Sequence, residues 1–97
     1  MRVIAVSTLR EFWKKHPQAE IPLRAWFADA SRADWNRPAA IKAAHRNASF
    51  VGNNRVVFNI KGNAFRLVVA VHYNRRMMYV RFVGTHAEYD AINVEGI

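Results

Sequence analysis

Apolar residues recur at helical spacing in the first half of the chain and at alternating positions in the second half. Two helical stripes predict one helix that begins at a Thr8–Glu11 capping box and stops near His16, before Pro17, and another over residues 22–30. A third, shorter helix is predicted after Asn36, with Asn36 as N-cap and Pro38 in its first turn. The stripes consist of Leu9, Phe12 and Trp13 and of Leu23, Trp26 and Phe27.

The second half contains three strand-like runs, over residues 55–60, 64–73 and 77–83. Lys61-Gly62 and Asn74-Arg75 separate these runs, and both pairs suit tight hairpins because Gly and Asn accept positive φ at little cost. Residues 47–54 are predicted to be a loop, and a β-branched run over residues 3–6 predicts a strand before the first helix. Thr85 is expected to cap a short final helix that runs through Ile92.

Two-residue turns at residues 61–62 and 74–75 determine which side chains share a face, because strand side chains alternate with a period of two. Both registers give an unbroken apolar face, which is expected to pack on the helices. The opposite face is expected to present polar groups, with Arg66 and Arg81 pointing toward the strand end that leads to His86. A three-residue turn at residues 74–76 would put these two arginines on opposite faces. The predicted pairs are Leu67 with Phe82, Val69 with Val80, Val71 with Met78, Phe58 with Phe65, and Val56 with Leu67.

Length and composition indicate a single domain over residues 1–97. Of the 97 residues, 52% are hydrophobic and none is cysteine, which leaves no disulfide and no thiolate metal site. The apolar runs fall short of the roughly 20 residues that span a bilayer, and no signal peptide is recognised, so a cytoplasmic location is expected. The formal charge of +8 favours nucleic acid as partner. An anionic membrane is the weaker alternative, because no helix sets a basic face against an apolar one.

Basic residues are concentrated ahead of a cluster of titratable groups. Residues 35–87 contain no Asp or Glu, and residues 84–90 then read Gly-Thr-His-Ala-Glu-Tyr-Asp. Arg can hold a phosphodiester and His can move a proton, while the RNA 2′-hydroxyl can attack its own phosphate without a metal. The candidate catalytic residues are His86, Arg66, Arg81, Tyr89 and Lys61. The candidate RNA- or phosphate-binding residues are Arg55, Asn59, Asn63, Arg75 and Arg76.

Each candidate also has a purely structural interpretation. His86 can simply cap or pack near the last helix, and Tyr89 can be a half-buried aromatic. Arg75 and Arg76 in a hairpin turn can be solvated charges, and Asp90 can pair with a neighbouring Arg. Glu88, Asp90 and Glu95 are the only carboxylates of the tail, so neither a metal site nor a cofactor is predicted.

Several segments resemble the HigB family of toxins, which belongs to type II toxin–antitoxin systems and to the RelE-like superfamily. The likeness is carried by Gly-Asn-x-x-Arg at residues 62–66 and by Gly-Thr-His-x-x-Tyr-Asp at residues 84–90. The flanking segments 53–61, 65–69 and 79–83 are similar too, as are Trp35-Asn36-Arg37-Pro38 and Ile41-Lys42. The resemblance implies an α+β fold in which an N-terminal strand and two helices pack on one face of a mainly antiparallel four-stranded sheet, with a short C-terminal helix.

The same resemblance implies residue roles. Arg66 occupies the position of an arginine that RelE-like toxins place on the matching strand, and His86 matches the members with a histidine general acid. RelE has a catalytic tyrosine where this chain has Ile92, so Tyr89 is the nearest substitute. Lys61 with Arg55 stands in for a pair of lysines, which leaves the general base as the least defined role.

The leading hypothesis is therefore a ribosome-dependent, metal-independent mRNA endoribonuclease that acts as a toxin. The implied partners are the ribosome, mRNA and a HigA-like helix-turn-helix antitoxin, with DNA bound only through the antitoxin complex. The alternative is a catalytically silent RNA- or ribosome-binding module. A DNA-binding regulator acting alone is a weaker third hypothesis, because no recognition helix is apparent.

Overall fold

The structure, a computed structural model, describes all residues from 1 to 97. Three helices precede most of the sheet, and one short helix follows it. The strands are β1 (Arg2–Ile4), β2 (Ser49–Val51), β3 (Arg55–Ile60), β4 (Phe65–His72) and β5 (Met77–Thr85). The helices are α1 (Val6–Lys15), α2 (Glu20–Arg32), α3 (Pro38–Ala44) and α4 (His86–Asp90).

The helix starts differ from the predicted ones. The Thr8 capping box is wrong: α1 begins at Val6 directly after β1, because Ala5 in a left-handed conformation (φ 70°) turns the chain from strand to helix. The predicted stop is confirmed, since the His16 N–H bonds to Phe12 at the end of α1. Asn36 is not the cap of α3 either; Arg37 is the N-cap residue, and Pro38 opens the first turn as predicted.

The sheet has five strands in the order β1-β5-β4-β3-β2, one more than the four predicted. β1 runs parallel to β5, and the other neighbours are antiparallel. The predicted loop at residues 47–54 contains β2, which pairs Ser49 with Val57 and Val51 with Arg55. A three-residue strand is too short to display a hydrophobic period, and it is defined only by its pairing across a turn in which Asn53 and Asn54 both have positive φ. The α+β class itself is confirmed.

The β3–β4 register preserves the predicted faces but not the predicted pairs. The β4–β5 register preserves them only up to Val69, because Phe82 pairs with Val68 on the second face and Val83 takes the predicted place of Phe82 on the apolar face. The β3–β4 connection is longer than expected, so Ile60 pairs with Phe65 and Phe58 with Leu67, a shift of two that keeps the same face. The β4–β5 pairing is as predicted at Val69 with Val80 and at Val71 with Met78. A bulge in β5 opposite the Val68–Val69 step of β4 then shifts the partners of the preceding β4 residues by one. Leu67 consequently faces Val83 instead of Phe82, and Arg66 faces Gly84.

The apolar face of the sheet packs on the helices as predicted. Phe58 lies edge-on to Trp26 of α2, with the ring centroids 5.4 Å apart, and both residues are buried. Leu9 and Leu23 bring α1 and α2 into the same core. This arrangement leaves the other face of the sheet free to support the C-terminal segment.

The second face is not the open polar surface that the sequence predicts. Val57, Val68 and Ala70 are buried there although they lie outside the core formed with the helices. The C-terminal segment reaches this face at both ends, since Tyr89 lies by Arg66 and the main chain of residues 95–97 bonds to the β2–β3 turn region. Of the three arginines predicted for this face, Arg55 is therefore buried, while Arg66 is half-buried and Arg81 is exposed. None of the helices has the length and apolarity needed to cross a membrane.

Candidate active site

The strand pairing assembles one row of functional residues where β4 begins and β5 ends. Asn59 on β3 pairs with Arg66 on β4, and Arg66 pairs with Gly84 on β5. Paired residues of neighbouring strands lie about 5 Å apart, so these three positions form a continuous strip across the sheet. Thr85 follows Gly84 and starts α4. The strip therefore ends beside His86, as the sequence predicts.

Gly84 suits this junction because neighbouring side chains occupy the space beside it. A Cβ atom at position 84 would come within 2.5 Å of the Phe82 ring and within 3.1 Å of Glu88 Oε1. Any larger residue would push the Phe82 ring or the Glu88 carboxylate away from the start of α4. The glycine in the Gly-Thr-His motif thus serves close packing at the helix start.

A capping box fixes the start of α4. The Thr85 N–H donates to Glu88 Oε1 at 2.7 Å, and the Glu88 N–H donates to Thr85 Oγ1 at 3.2 Å. The hydrogen bond from the Thr85 backbone, and then that with its side chain, lowers the pKa of Glu88; the positive charges of His16 and Lys15 act in the same direction. The predicted cap at Thr85 is confirmed, although α4 ends at Asp90 instead of Ile92. His86 is thereby held as the first residue of α4.

His86 is paired with Asp90 on the next turn of α4. Its Nδ1 lies 3.1 Å from Asp90 Oδ2, and the two side chains are 51% and 61% exposed. An Nδ1–H that donates to the carboxylate leaves Nε2 free to face a substrate. The arrangement offers one proton-transfer nitrogen at an accessible position.

Arg66 lies between the sheet and α4. Its guanidinium carbon is 5.8 Å from the centroid of the Tyr89 ring, and its Nη1 donates to the Asn63 main-chain oxygen at 3.3 Å. The Tyr89 ring and the Asn63 carbonyl both restrict how the guanidinium can turn. Arg66 is half-buried, so part of the guanidinium remains available to a phosphate.

Three further candidates lie at the margins of this group. Lys61 is exposed in the β3–β4 turn, where it adopts a left-handed conformation (φ 52°), and Asn63 follows it in the same turn. Arg81 is the unpaired residue of the β5 bulge and is exposed. All three are on the surface, and the structure gives none of their side chains a protein partner that would compete with RNA.

The remaining arginine candidates are placed elsewhere. Arg55 is only 8% exposed and bonds to main-chain oxygens, so little of it is accessible to RNA in this structure. Arg75 and Arg76 occupy the β4–β5 turn, six or more strand residues from Arg66, which corresponds to about 20 Å. Arg76 additionally pairs with Asp34 and with the Tyr73 carbonyl. The predicted guanidinium surface is thus divided among separate locations.

Sequence reasoning missed the roles of Glu88 and His16. Glu88 closes the capping box, and the Thr85-x-x-Glu88 pattern was a readable signal for it. His16 stacks on Phe12 with the ring centroids 4.4 Å apart and contributes positive charge near Glu88, and no local sequence pattern marks this placement. Among the described residues, no three His, Cys, Asp or Glu side chains are grouped to hold a metal ion.

The fold, a mainly antiparallel sheet with helices packed on one face, is consistent with the class of small RelE-like toxins. Residues 19–92 match the HigB toxin family, described as the RelE-like toxic component of a toxin–antitoxin system. The chain belongs to this family. It is accordingly the toxin component of such a system, with an antitoxin as partner.

Curated relatives agree with this assignment. The chain is 30% identical over 93 residues to the mRNA interferase toxin HigB of Escherichia coli strain K12, covering 93% of this chain and 88% of the relative. The mRNA interferase HigB of Shigella flexneri gives the same figures. An mRNA interferase HigB of Escherichia coli O6:H1 is 23% identical over 94 residues, covering 95% of this chain and 91% of that relative.

Proposed function

We propose that this protein is an mRNA interferase, a toxin that stops translation by cutting messenger RNA. The observation that carries the proposal is the convergence of Arg66, Tyr89 and the His86–Asp90 pair where β4 begins and β5 ends. Phosphodiester cleavage needs a cation that binds the phosphate and a group that transfers a proton, and both lie here at the same end of the sheet. The names of the relatives as mRNA interferases support the choice of substrate.

The proposed reaction is a metal-independent attack by the RNA 2′-hydroxyl. A base removes the 2′-hydroxyl proton, the 2′-oxygen bonds to the adjacent phosphorus, and the bond from phosphorus to the 5′-oxygen breaks. The His86 imidazolium gives its Nε2 proton to the departing 5′-oxygen, which leaves a neutral imidazole, a 2′,3′-cyclic phosphate and a 5′-hydroxyl. Arg66 offsets the charge that grows on the phosphate oxygens. The base is not assigned to a residue.

The other candidates assist substrate binding in this proposal. Lys61 and Asn63 in the β3–β4 turn and Asn59 beside Arg66 line the approach to the strip, where they can contact the RNA backbone. Arg81, exposed on the β5 bulge, contacts a neighbouring phosphate in this proposal. Tyr89 holds the Arg66 guanidinium in its working orientation.

The partners follow from the same proposal. The RNA is cut while it occupies the ribosome, in the cytoplasm, and a HigA-like helix-turn-helix antitoxin neutralises the toxin. DNA is contacted only through the toxin–antitoxin complex. The positive charge of the chain supports an RNA-rich target surface.

The test is inducible expression of the wild-type protein and of His86→Ala in the same host. The wild type should arrest growth and fragment transcripts, while His86→Ala should relieve both. Arg75→Ala is the matched control, because it removes a charge about 20 Å from the strip and should remain toxic. Cleavage of the same mRNA with and without purified ribosomes then tests ribosome dependence, and a 2′,3′-cyclic phosphate on the product tests attack by the 2′-hydroxyl. A single 2′-deoxy substitution at the cleavage position should block cutting.

The competing hypothesis is a silent RNA- or ribosome-binding module. It predicts growth inhibition without fragmented transcripts, and equal toxicity of the wild type and His86→Ala. Full toxicity of both His86→Ala and Arg66→Ala, with intact transcripts, would establish it in place of the nuclease.

A further inference from the structure

The buried arginine of β3 has no part in the proposed chemistry. Arg55 is the one charged residue in the protein that is buried, at 8% exposure. Its Nη1 donates to the Asn53 carbonyl at 2.9 Å, and its Nη2 donates to the Ile97 main-chain oxygen. Burying a cation is costly unless it is paired or hydrogen-bonded, so the two main-chain oxygens that accept from Arg55 are what makes its burial possible.

A second bond from the same turn reaches the same segment. The Asn53 side-chain amide donates to the Glu95 carbonyl at 3.1 Å, and the Gly52 Cα lies close to the Glu95 side chain, because a Cβ there would be 3.1 Å from Oε1. Asn53 in the β2–β3 turn therefore binds the main chain of residue 95, and Arg55 at the start of β3 binds that of residue 97. Asn53 has φ 66°, a conformation that asparagine tolerates better than most residues.

The held segment is the continuation of α4. Residues 91–97 run from the end of α4 to the Arg55 region, and Ile92, Val94 and Ile97 are half-buried while Ala91, Asn93 and Glu95 are exposed. Arg55 pairs with Ala70 and Arg66 lies four residues earlier on β4, which is about 13 Å along the strand. The segment that carries His86 and Tyr89 is thus tied down at the capping box and again at Arg55.

We propose that Arg55 and Asn53 are positioning residues that hold the C-terminal segment, and through it Tyr89 and α4, in the geometry of the nuclease site. The inference rests on the proposed function. A helix of five residues has little stability of its own, so its orientation depends on what anchors its two ends. Arg55 acts from the buried face of the sheet and does not touch RNA.

The test compares Asn53→Gly with Asn54→Gly. Both positions are exposed and have positive φ, so glycine is tolerated at each, but only the Asn53 amide bonds to the C-terminal segment. Asn53→Gly should speed amide hydrogen exchange over residues 89–97 by about fivefold, the usual effect of losing one hydrogen bond. It should lower kcat for mRNA cleavage severalfold with KM nearly unchanged, and Asn54→Gly should change neither.

Arg55→Met supplies the second arm, since it keeps the buried volume and removes both guanidinium bonds. It should reproduce the Asn53→Gly effects more strongly. A raised KM with unchanged exchange would mean that Arg55 binds phosphate directly, which overturns the proposal. Faster exchange with normal cleavage overturns it too, as does an Asn53→Gly variant that matches Asn54→Gly. A wild type that cuts no RNA refutes the proposed function instead, while the exchange experiment still reports on the anchor.

Discussion

His86 Nδ1 and Asp90 Oδ2 lie 3.1 Å apart across one turn of α4. The carboxylate fixes which ring nitrogen faces outward, so both residues should matter to catalysis, but unequally. His86→Ala should slow cleavage by about 10²–10⁴, the usual contribution of a general acid. Asp90→Asn should cost about tenfold or less, because both side chains are more than half exposed and the imidazole can reorient. Single-turnover cleavage of ribosome-bound mRNA measures both.

The control for this pair is Glu11→Gln, which removes an exposed carboxylate on α1 that forms no hydrogen bond or ion pair. It should cleave at the wild-type rate. An Asp90→Asn loss as large as that of His86→Ala would instead assign Asp90 a direct part in proton transfer.

Because Arg66 contacts the ring of Tyr89, the ring and the hydroxyl of this residue are expected to matter differently to catalysis. The guanidinium lies 5.8 Å from the ring centroid, and no hydrogen bond involves the hydroxyl. Tyr89→Phe should therefore retain most activity. Tyr89→Ala should lower kcat because Arg66 becomes mobile, and the loss should not exceed the factor of about 10²–10³ seen when a charge-stabilising donor is removed altogether. Cleavage kinetics of the two variants decide the matter. A Phe variant as impaired as the Ala variant would mean that the hydroxyl moves a proton.

The distance between Arg66 and Arg75 predicts different consequences for removing each charge. Arg75→Ala should leave kcat unchanged, because the side chain is about 20 Å from the strip. If it contacts RNA, the variant should reduce the salt dependence of binding to single-stranded RNA by about 0.7 in the log–log slope. Arg66→Ala should lower kcat as well as affinity. A large loss of kcat in Arg75→Ala would contradict the placement of the site.

Most of the fold was readable because local patterns agreed with the tertiary structure. The helical stripes, the capping residues and the strand-like runs predicted every helix and four of the five strands, and the β4–β5 register held from Val71 back to Val69. β2 was missed because only its partner defines it. The bulge that shifts Leu67 onto Val83 was missed because one extra residue in a strand leaves no sequence signal here.

Part of the candidate site could also be predicted, because local sequence patterns position its residues. Arg66 lies on the predicted face, one residue out of its predicted register, and His86 begins α4 directly after the Thr85 cap. Arg55 was misread because strand alternation predicts the face but not what covers it, and the C-terminal segment covers that face. Buried and exposed arginines look alike in a sequence.

The capping box between Thr85 and Glu88 should make the free energy of unfolding decrease at acid pH, where Glu88 becomes protonated. Its hydrogen bonds lower the pKa of Glu88 from the ordinary value of 4.5, so the folded state gains stability when this carboxylate is ionised. That gain is complete above pH 4.5 and disappears as the pH falls through the lower folded-state pKa. Glu88→Gln can still cap the helix but does not titrate there.

The free energy of unfolding of wild type and Glu88→Gln, measured with urea between pH 3 and pH 7, should therefore differ in the wild type's favour near neutrality. The difference should shrink below the ordinary pKa of 4.5. Glu11→Gln on α1 controls for the change in net charge, because Glu11 caps no helix. A wild-type advantage that stays constant across this range would show that the ionised Glu88 carboxylate does not stabilise the start of α4.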